Sequence, residues 1–174
     1  MNTTYKLTLS GMVTALALSA LGASAALAEM LEMPEGDVIL TVSGNIHNSN
    51  ADDAAVFDLA MLEAMPVTEF TTSTIWTSEE HTFTGVALHT FLEHVGANGL
   101  TLDATAINDY SVEVPVSDAV EGGPILAYKT DGDYMPRREK GPIWLIYPYD
   151  QNDEYRSETV YSRSIWQLDR LHVK

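Results

Sequence analysis

The stretch PRREKGPIWLIYP, residues 136–148, decides the fold prediction for this chain. Its apolar run, Ile143–Tyr147, lies between the turn residues Gly141-Pro142 and the single proline Pro148. A short apolar run of this kind between two breaks predicts a buried β-strand. Residues 137–140, just before it, form the most basic patch of the chain. The stretch therefore predicts a buried strand that follows directly on a basic patch.

Further short β segments are predicted along the chain, on both sides of this strand. Each is rich in β-branched or aromatic residues, and Gly, Pro, Asn or Asp turns separate most of them. The segments are Val38–Ile46, Glu69–Trp76, Leu100–Ile107, Tyr110–Val116, Ile125–Lys129 and Ile165–Val173, the last either a strand throughout or a strand with a short turn. An acidic loop, Asp150–Glu158, precedes the final segment.

Two short helices complete the predicted elements. Apolar residues at helical spacing over Phe57–Met65 predict the first helix, which Pro66 ends. A second helical stripe runs through His81–Gly96, with Gly96 suited to the C-terminal cap. Many short strands with two short helices predict an α+β fold with mixed β-sheets.

The first 28 residues predict a secretory signal peptide. Lys6 is followed by an uncharged, apolar run that closes on small residues directly before Glu29. Cleavage is expected after Ala28, with Ala25 as the alternative. A transmembrane anchor is the competing interpretation, but the central apolar stretch, Leu7–Leu21, contains polar residues and is shorter than a membrane span. We therefore expect a periplasmic protein of one domain, residues 29–174, without membrane insertion.

Charge and composition exclude several function classes. The chain has 25 Asp+Glu against 9 Lys+Arg, and loss of the leader with Lys6 makes the net charge −17. Such a surface disfavours nucleic acid and anionic lipid as partners. The absence of cysteine excludes disulfides, thiol nucleophiles and thiolate-held cofactors. The five histidines are scattered, the acidic turns do not match a calcium-binding loop, and no Gly-x-Ser-x-Gly motif is present.

Three segments of the chain carry more information together than each does alone. The first is Phe83-Thr84-Gly85-Val86-Ala87-Leu88, and the second is Ala106-Ile107-Asn108-Asp109-Tyr110. The third is Pro136–Pro148, followed by Tyr161–Leu168 with its Arg163-Ser164-Ile165 motif. In this order and spacing the segments resemble the molybdopterin-binding domain of the sulfite oxidase superfamily. The resemblance covers most of residues 37–173 and implies the sulfite-oxidase-type molybdopterin-binding fold.

One departure from this family concerns the metal ligand. The enzymes of the superfamily hold molybdenum through one cysteine thiolate, and the equivalent stretch here is Thr71-Thr72-Ser73-Thr74. A hydroxyl is a much poorer ligand for a soft metal than a thiolate. We therefore expect a chain that holds no molybdenum and is not an enzyme. The alternative is a molybdopterin-dependent oxidoreductase that lacks the cysteine ligand.

Five residues are candidates for binding a flat pterin ring. Trp76 and Trp144 could offer stacking faces, and Asn108 and Asp109 could accept hydrogen bonds from the amino and ring-nitrogen edge. The resemblance places Arg163 towards the polar end of the ligand. A structural alternative stays open for each of these residues. Trp144, like Trp166, would then be a core residue, and Asn108-Asp109 would be an ordinary hairpin turn. Trp76 and Arg163 would then contact no ligand.

The resemblance also implies a ligand and a partner. The exported, cysteine-less branch of this family resembles a set of periplasmic pterin receptors, which implies a pterin that is not covalently held. The implied partner is the periplasmic domain of an inner-membrane signalling protein, either a cyclic-di-nucleotide enzyme or a sensor kinase. A third possibility is an interaction domain whose cleft stays empty.

Overall fold

The structure is a computed structural model that describes Met1 and residues 31–174. The predicted signal peptide, apart from Met1, lies outside these described residues. Within the described part of the chain, no helix has the length and hydropathy that crossing a membrane would require.

The strands of residues 31–174 form two five-stranded sheets, and sequence neighbours are mostly partners. Their order is β2-β1-β10-β5-β6 in the first sheet and β3-β4-β7-β8 in the second, where β9 also pairs with β7. The strands are β1 (Leu40–Gly44), β2 (Ala54–Phe57), β3 (Val67–Thr72), β4 (His81–Ala87), β5 (Thr101–Ala106), β6 (Ser111–Pro115), β7 (Ile125–Thr130), β8 (Asp133–Tyr134), β9 (Trp144–Ile146) and β10 (Leu168–Val173).

The first sheet joins the two ends of the described chain. Strand β10 lies between β1, to which it is parallel, and β5, to which it is antiparallel. Strands β5 and β6 form the hairpin that the sequence predicts for Leu100–Ile107 and Tyr110–Val116, with the turn at Asn108-Asp109. The residues that close the chain are therefore held at the centre of a sheet.

The second sheet contains the strand predicted from IWLIY. Strand β9 is buried in all three residues and pairs with β7 at Ile125–Ala127. Strand β8 pairs with the other end of β7, at Lys129 and Thr130. The mixed sheets with a few short helices confirm the predicted α+β class.

Three short α-helices connect the strands of the described chain: α1 (Leu59–Glu63), α2 (Leu88–His94) and α3 (Glu158–Arg163). The Asp58 carboxylate accepts a hydrogen bond from the Met61 N–H at 2.9 Å and caps α1. Ser157 caps α3 in the same way, through the Val160 N–H. Single 3₁₀ turns lie at Val116–Asp118 and Asp153–Tyr155.

The prediction of one helix over His81–Gly96 was wrong for its first half. His81–Ala87 is strand β4, between β3 and β7, and the helix begins only at Leu88. Gly85 shows why this segment is a strand: a Cβ there would lie 2.1 Å from the Leu126 carbonyl oxygen on β7. The close approach of two backbones requires glycine and overrides the helical spacing.

The other boundaries shift by a few residues. Phe57 ends β2 and does not start a helix, because Asp58 takes the capping position. Strand β3 ends at Thr72, four residues before the predicted end at Trp76. Residues 165–167 precede β10 as an irregular segment, so the strand-with-turn alternative is confirmed. Helix α3 begins at the last residue of the predicted loop Asp150–Glu158.

The buried side chains form two clusters of different chemistry. One, here called the aliphatic core, draws on both sheets and on α2, and it is dominated by Leu, Val, Ile and Ala. The other, here called the aromatic cluster, lies around β9. Its buried aromatic members are Phe70, Phe83, Trp144, Tyr147 and Tyr149, with Trp76, Tyr155, Tyr161 and Trp166 packed partly buried against them.

Candidate functional site

Trp76 is the centre of the aromatic cluster. Its ring centroid lies 5.5 Å from that of Trp166 and 5.8 Å from that of Trp144, both in edge-to-face geometry. Tyr161 meets Trp76 edge-on at 6.0 Å, and Tyr149 lies 6.4 Å away. Edge-to-face contacts at these distances are favourable and fix the ring planes. The half-buried Trp76 ring is thus held in position from several sides.

Four hydroxyl residues at the end of β3, Thr71-Thr72-Ser73-Thr74, are here called the hydroxyl run. They position the loop between β3 and β4, residues 73–80, here called the Trp76 loop. The Thr74 hydroxyl accepts from the Trp76 backbone N–H at 3.1 Å and contacts the Thr77 hydroxyl at 2.8 Å. The Ser73 hydroxyl donates to Asp150 at 2.8 Å, and Thr72 accepts from the Asp150 backbone N–H at 3.1 Å. The run therefore fastens the Trp76 loop to the segment that follows β9.

A cavity of about 350 Å³ lies beside Trp76 and is here called the tryptophan cavity. It lies where the β5–β6 turn meets the Trp76 loop, α3 and the segment before β10. Its lining residues are Trp76, Ala106, Asn108, Tyr110, Tyr161, Ser162, Ser164, Ile165, Trp166 and Gln167. The described side chains that line it include no charged group, so its walls suit an uncharged ligand.

Backbone hydrogen bonds hold the two sides of the tryptophan cavity together. The Ile107 N–H, at the end of β5, donates to the Gln167 carbonyl at 2.9 Å. Gln167 has a left-handed backbone (φ 53°), and its side chain donates to the Arg137 carbonyl at 2.7 Å. These bonds join the β5–β6 turn to residues 164–167 and to the basic patch.

Free hydrogen-bonding groups lie among the aromatic walls. The Asn108 side-chain oxygen accepts from the Tyr110 backbone N–H at 3.1 Å, which leaves the amide NH₂ without a partner among the described residues. The Gln167 amide oxygen is likewise without one there. A few polar groups in a mostly apolar cavity orient a ligand, while the apolar surface supplies affinity.

The structure brings two of the five predicted site residues together. Trp76 and Asn108 both line the tryptophan cavity. Trp144 is almost completely buried, donates from Nε1 to the Ser164 carbonyl at 3.2 Å, and lines a different cavity. Asp109 and Arg163 line neither of these cavities, since each side chain is held in an ion pair.

The ion pairs of Asp109 and Arg163 have different settings. Asp109 is exposed and pairs with Arg170 at 2.7 Å. Arg163, at the end of α3, pairs with the half-buried Asp118 at 2.8 Å. Asp118 also accepts from the Tyr147 hydroxyl at 2.7 Å. Burial, and then this hydrogen bond to Asp118, raise the pKa of Tyr147 well above its usual value. Arg163 therefore fastens α3 to the core.

Sequence reasoning missed several residues of the tryptophan cavity. Trp166 was predicted as core, but it is half-buried and forms a wall of the cavity. Tyr110 and Tyr161 belong to the segments that resemble the family, but the sequence predicted no ligand-binding role for either. Their nearness to Trp76 depends on how α3 and the β5–β6 turn pack, which the sequence pattern does not contain.

A family model for the oxidoreductase molybdopterin-binding domain matches residues 2–150. The chain belongs to this family. The match covers β1 to β9 and the Trp76 loop, and it ends before α3 and β10. One wall of the tryptophan cavity, residues 161–167, therefore lies outside the matched span. No curated protein sequence matches the chain.

The residues present do not fit the metal of this family. All four hydroxyls of Thr71-Thr72-Ser73-Thr74 have hydrogen-bond partners within the fold, and none lines the tryptophan cavity. Among the described residues, no group of three or more His, Asp or Glu side chains is arranged to hold a metal ion.

Proposed function

We propose that this domain is a non-catalytic pterin-binding protein of the periplasm, with the ligand in the tryptophan cavity. The observation that carries the proposal is an uncharged cavity that Trp76, Trp166 and the Asn108 amide all line. A pterin is flat and aromatic, and its edge carries amino and ring-nitrogen groups. The indole rings match the first property, and the free Asn108 NH₂ can donate a hydrogen bond to a ring nitrogen.

The size and polarity of the tryptophan cavity support a small, neutral ring. A volume of about 350 Å³ lies at the lower end of the range for ligand pockets. No arginine or lysine lines it, so nothing in its walls would neutralise a phosphate group. A pterin without a phosphate is therefore the form that these walls favour.

The hydroxyl run supports a role in binding rather than in redox chemistry. Its side chains hold the Trp76 loop in place, and a hydroxyl would have to lose a proton of high pKa to bind a soft metal. The family is one of oxidoreductases, yet a fold can persist where the reacting groups are replaced.

We further propose that the loaded protein docks on the periplasmic domain of an inner-membrane signalling protein. Such a relay requires the partner to bind the loaded and the empty domain with different affinity. The Trp76 loop and α3 are two of the parts of the cavity wall that a ligand would contact directly, besides the β5–β6 turn and the segment before β10. Ile75, next to Trp76, is 60% exposed and offers an apolar contact at the same place.

Calorimetric titration with 7,8-dihydropterin tests the binding site. We expect saturable binding by the wild type and at least a tenfold loss of affinity in Trp76→Leu, because a stacking face is removed. Asn108→Ala should weaken binding by a smaller factor, about fivefold, through loss of one hydrogen bond. Leu100→Ala is the control, since this side chain is 85% exposed and lines neither cavity. Unchanged affinity in both site variants would refute the site.

Elemental analysis separates binding from catalysis. Protein purified from the periplasm of the organism that makes it should release a pterin detectable by mass spectrometry and contain no stoichiometric molybdenum. Stoichiometric molybdenum with turnover of a sulfur or nitrogen oxide would instead establish the oxidoreductase.

A binding assay with the isolated periplasmic domain of the signalling protein tests the relay. We expect its affinity for the wild-type domain to differ between samples with and without dihydropterin. Trp76→Leu should remove that difference. Equal affinity with and without the ligand would exclude a relay and leave the pterin-binding proposal standing.

A further inference from the structure

A second cavity, here called the lysine cavity, lies against Phe83 and Trp144 of the aromatic cluster. Its volume is about 520 Å³, and it shares no lining residue with the tryptophan cavity. Its lining residues are Thr77, His81, Phe83, Thr130, Asp133, Tyr134, Met135, Pro136, Glu139, Lys140 and Trp144. The size is that of a site for a small organic ligand.

Lys140 is the lining residue whose charge is least satisfied. Its ammonium lies 4.3 Å from the ring centroid of Trp166 and 5.0 Å from that of Trp144. These cation–π contacts stabilise the positive charge, but they leave the N–H groups of the ammonium without hydrogen-bond acceptors. Among the described residues, Lys140 has no carboxylate partner and no side-chain hydrogen bond. Burial lowers the pKa of this ammonium below its usual value.

The other charged groups of the lysine cavity are already engaged or face solvent. His81 contacts the Asp131 carboxylate at 2.6 Å. Glu139 lies 3.9 Å from the Arg138 guanidinium, and Asp133 is exposed at the rim. Lys140 is therefore the free cation of this cavity. The two rim carboxylates would repel a ligand with several negative charges, so a single charge is favoured.

The inner wall of the lysine cavity is aromatic. Phe83 is fully buried, and its ring meets that of Trp144 edge-on at 5.3 Å. Met135 and Tyr134 extend the apolar surface outward. Outside these buried rings, Tyr134 and Met135 offer accessible apolar surface to a flat ring with one anionic group, in the same cavity as the Lys140 ammonium. We propose that the lysine cavity is a second binding site, for a small aromatic monocarboxylate whose charge pairs with Lys140.

Benzoate and its neutral analogue benzamide test this proposal on the wild-type protein. Titrations followed by tryptophan fluorescence and by NMR shifts should show saturable binding of benzoate, with benzamide about tenfold weaker because the charge-assisted hydrogen bond is missing. The shifts should include Phe83 and Trp144. Saturating dihydropterin should leave benzoate binding in place, because the two cavities share no lining residue.

Variants of Lys140 add a second comparison. Lys140→Met should weaken benzoate about tenfold and leave benzamide unchanged, while Lys140→Arg should retain most of the affinity. Lys174→Met is the matched control, because Lys174 lies outside both cavities in ion pairs with Asp103 and Glu113.

Several results would overturn the second site. These are no saturable benzoate binding, equal affinity for benzamide, or displacement of benzoate by dihydropterin, which would place it in the tryptophan cavity. Unchanged benzoate affinity in a folded Lys140→Met would also overturn it. The wild-type comparison of benzoate with benzamide decides the matter even if that variant does not fold. None of these results bears on whether the tryptophan cavity binds a pterin.

Discussion

The aliphatic core and the aromatic cluster differ in what their buried groups require. The aliphatic core consists mainly of Leu, Val, Ile and Ala side chains with no hydrogen-bonding atoms. The aromatic cluster carries indole N–H and tyrosine hydroxyl groups, each of which needs a partner when buried. Trp144 donates to the Ser164 carbonyl, and the Tyr149 hydroxyl contacts the Ser164 hydroxyl.

The comparison teaches where this fold can accommodate a ligand. Apolar side chains of the aliphatic core interdigitate at close packing and leave few voids. The three tryptophan rings of the aromatic cluster, Trp76, Trp144 and Trp166, meet edge-on, and both cavities lie against them. We therefore expect the aliphatic core to contribute mainly to stability, and our proposals place both ligands against the aromatic cluster.

Phe91→Ala, in the aliphatic core, should have the largest effect on stability. Phe91 is fully buried on α2, and its ring packs against Phe57 at 5.0 Å. Removal of this ring leaves a cavity and should lower the free energy of unfolding by about 3–5 kcal/mol. Urea unfolding measures the change, with the exposed Leu100→Ala as the control. Dihydropterin affinity, measured where the variant is folded, should not change, and a matching loss of affinity would contradict the division between the two clusters.

Asp118→Ala should affect both stability and ligand affinity. Asp118 accepts from Arg163 and Tyr147, so its loss leaves a half-buried cation without a partner and frees α3. We expect a loss of about 2 kcal/mol in the free energy of unfolding. Dihydropterin should bind several-fold more weakly, because α3 carries Tyr161 at the cavity wall.

Asp118→Asn keeps an acceptor oxygen and is the matched comparison for Asp118→Ala. It should lose less stability than the alanine variant in the same urea titration. If Arg163 contacted the ligand directly, Arg163→Met would weaken dihydropterin binding far more than Asp118→Ala does. Such a result would contradict a purely structural role for Arg163.

The link between Asp150 and the Trp76 loop should make stability depend on pH. The Ser73 backbone N–H, followed by its hydroxyl and Arg156, lowers the pKa of Asp150 to about 2. A carboxylate with a lowered folded-state pKa stabilises the fold above its unfolded value near 4 and loses that contribution as the pH falls towards 2. Asp150→Asn should therefore cost about 1 kcal/mol at neutral pH, since this pair is partly exposed.

Urea unfolding of wild type and Asp150→Asn at about pH 7 and about pH 2.5 checks this dependence. The difference in free energy between the two proteins should be largest at neutral pH and clearly smaller at about pH 2.5, where Asp150 begins to protonate in the folded state. A constant difference at both pH values would mean that the carboxylate charge does not contribute.

Asp109→Asn should have the smallest effect. Asp109 is exposed, its pair with Arg170 is a surface pair, and asparagine tolerates the left-handed backbone found here (φ 65°). Stability should change by less than about 0.5 kcal/mol, and dihydropterin affinity should not change. The adjacent Asn108→Ala is the contrast, since Asn108 lines the tryptophan cavity. A loss of affinity in Asp109→Asn would return this residue to the ligand site.

Local sequence patterns predicted the elements whose partners are close in the chain. The β5–β6 hairpin was correct because both strands and their turn lie within residues 100–116. The strand β4 was mistaken for a helix because its partners, β3 and β7, decide its conformation through the close approach at Gly85. Three of the five predicted site residues, Asp109, Trp144 and Arg163, lie outside the tryptophan cavity in the structure. Their positions, too, depend on partners that are distant in the sequence. The sequence does not distinguish an arginine that faces a ligand from one that, like Arg163, pairs with an aspartate.

The sequence by itself determined the family, the α+β class and the absence of a cysteine that could bind a metal, because these depend on residue types and their order. Only the tertiary structure decided which aromatic rings meet and which cations are free. Trp76 and Trp166 are 90 residues apart in the sequence, yet their rings are in contact. The Lys140 ammonium lies over the Trp166 ring, and the Gln167 N–H donates to the Lys140 carbonyl. Contacts over such separations arise from the packing of the two sheets and α3, which no local pattern records.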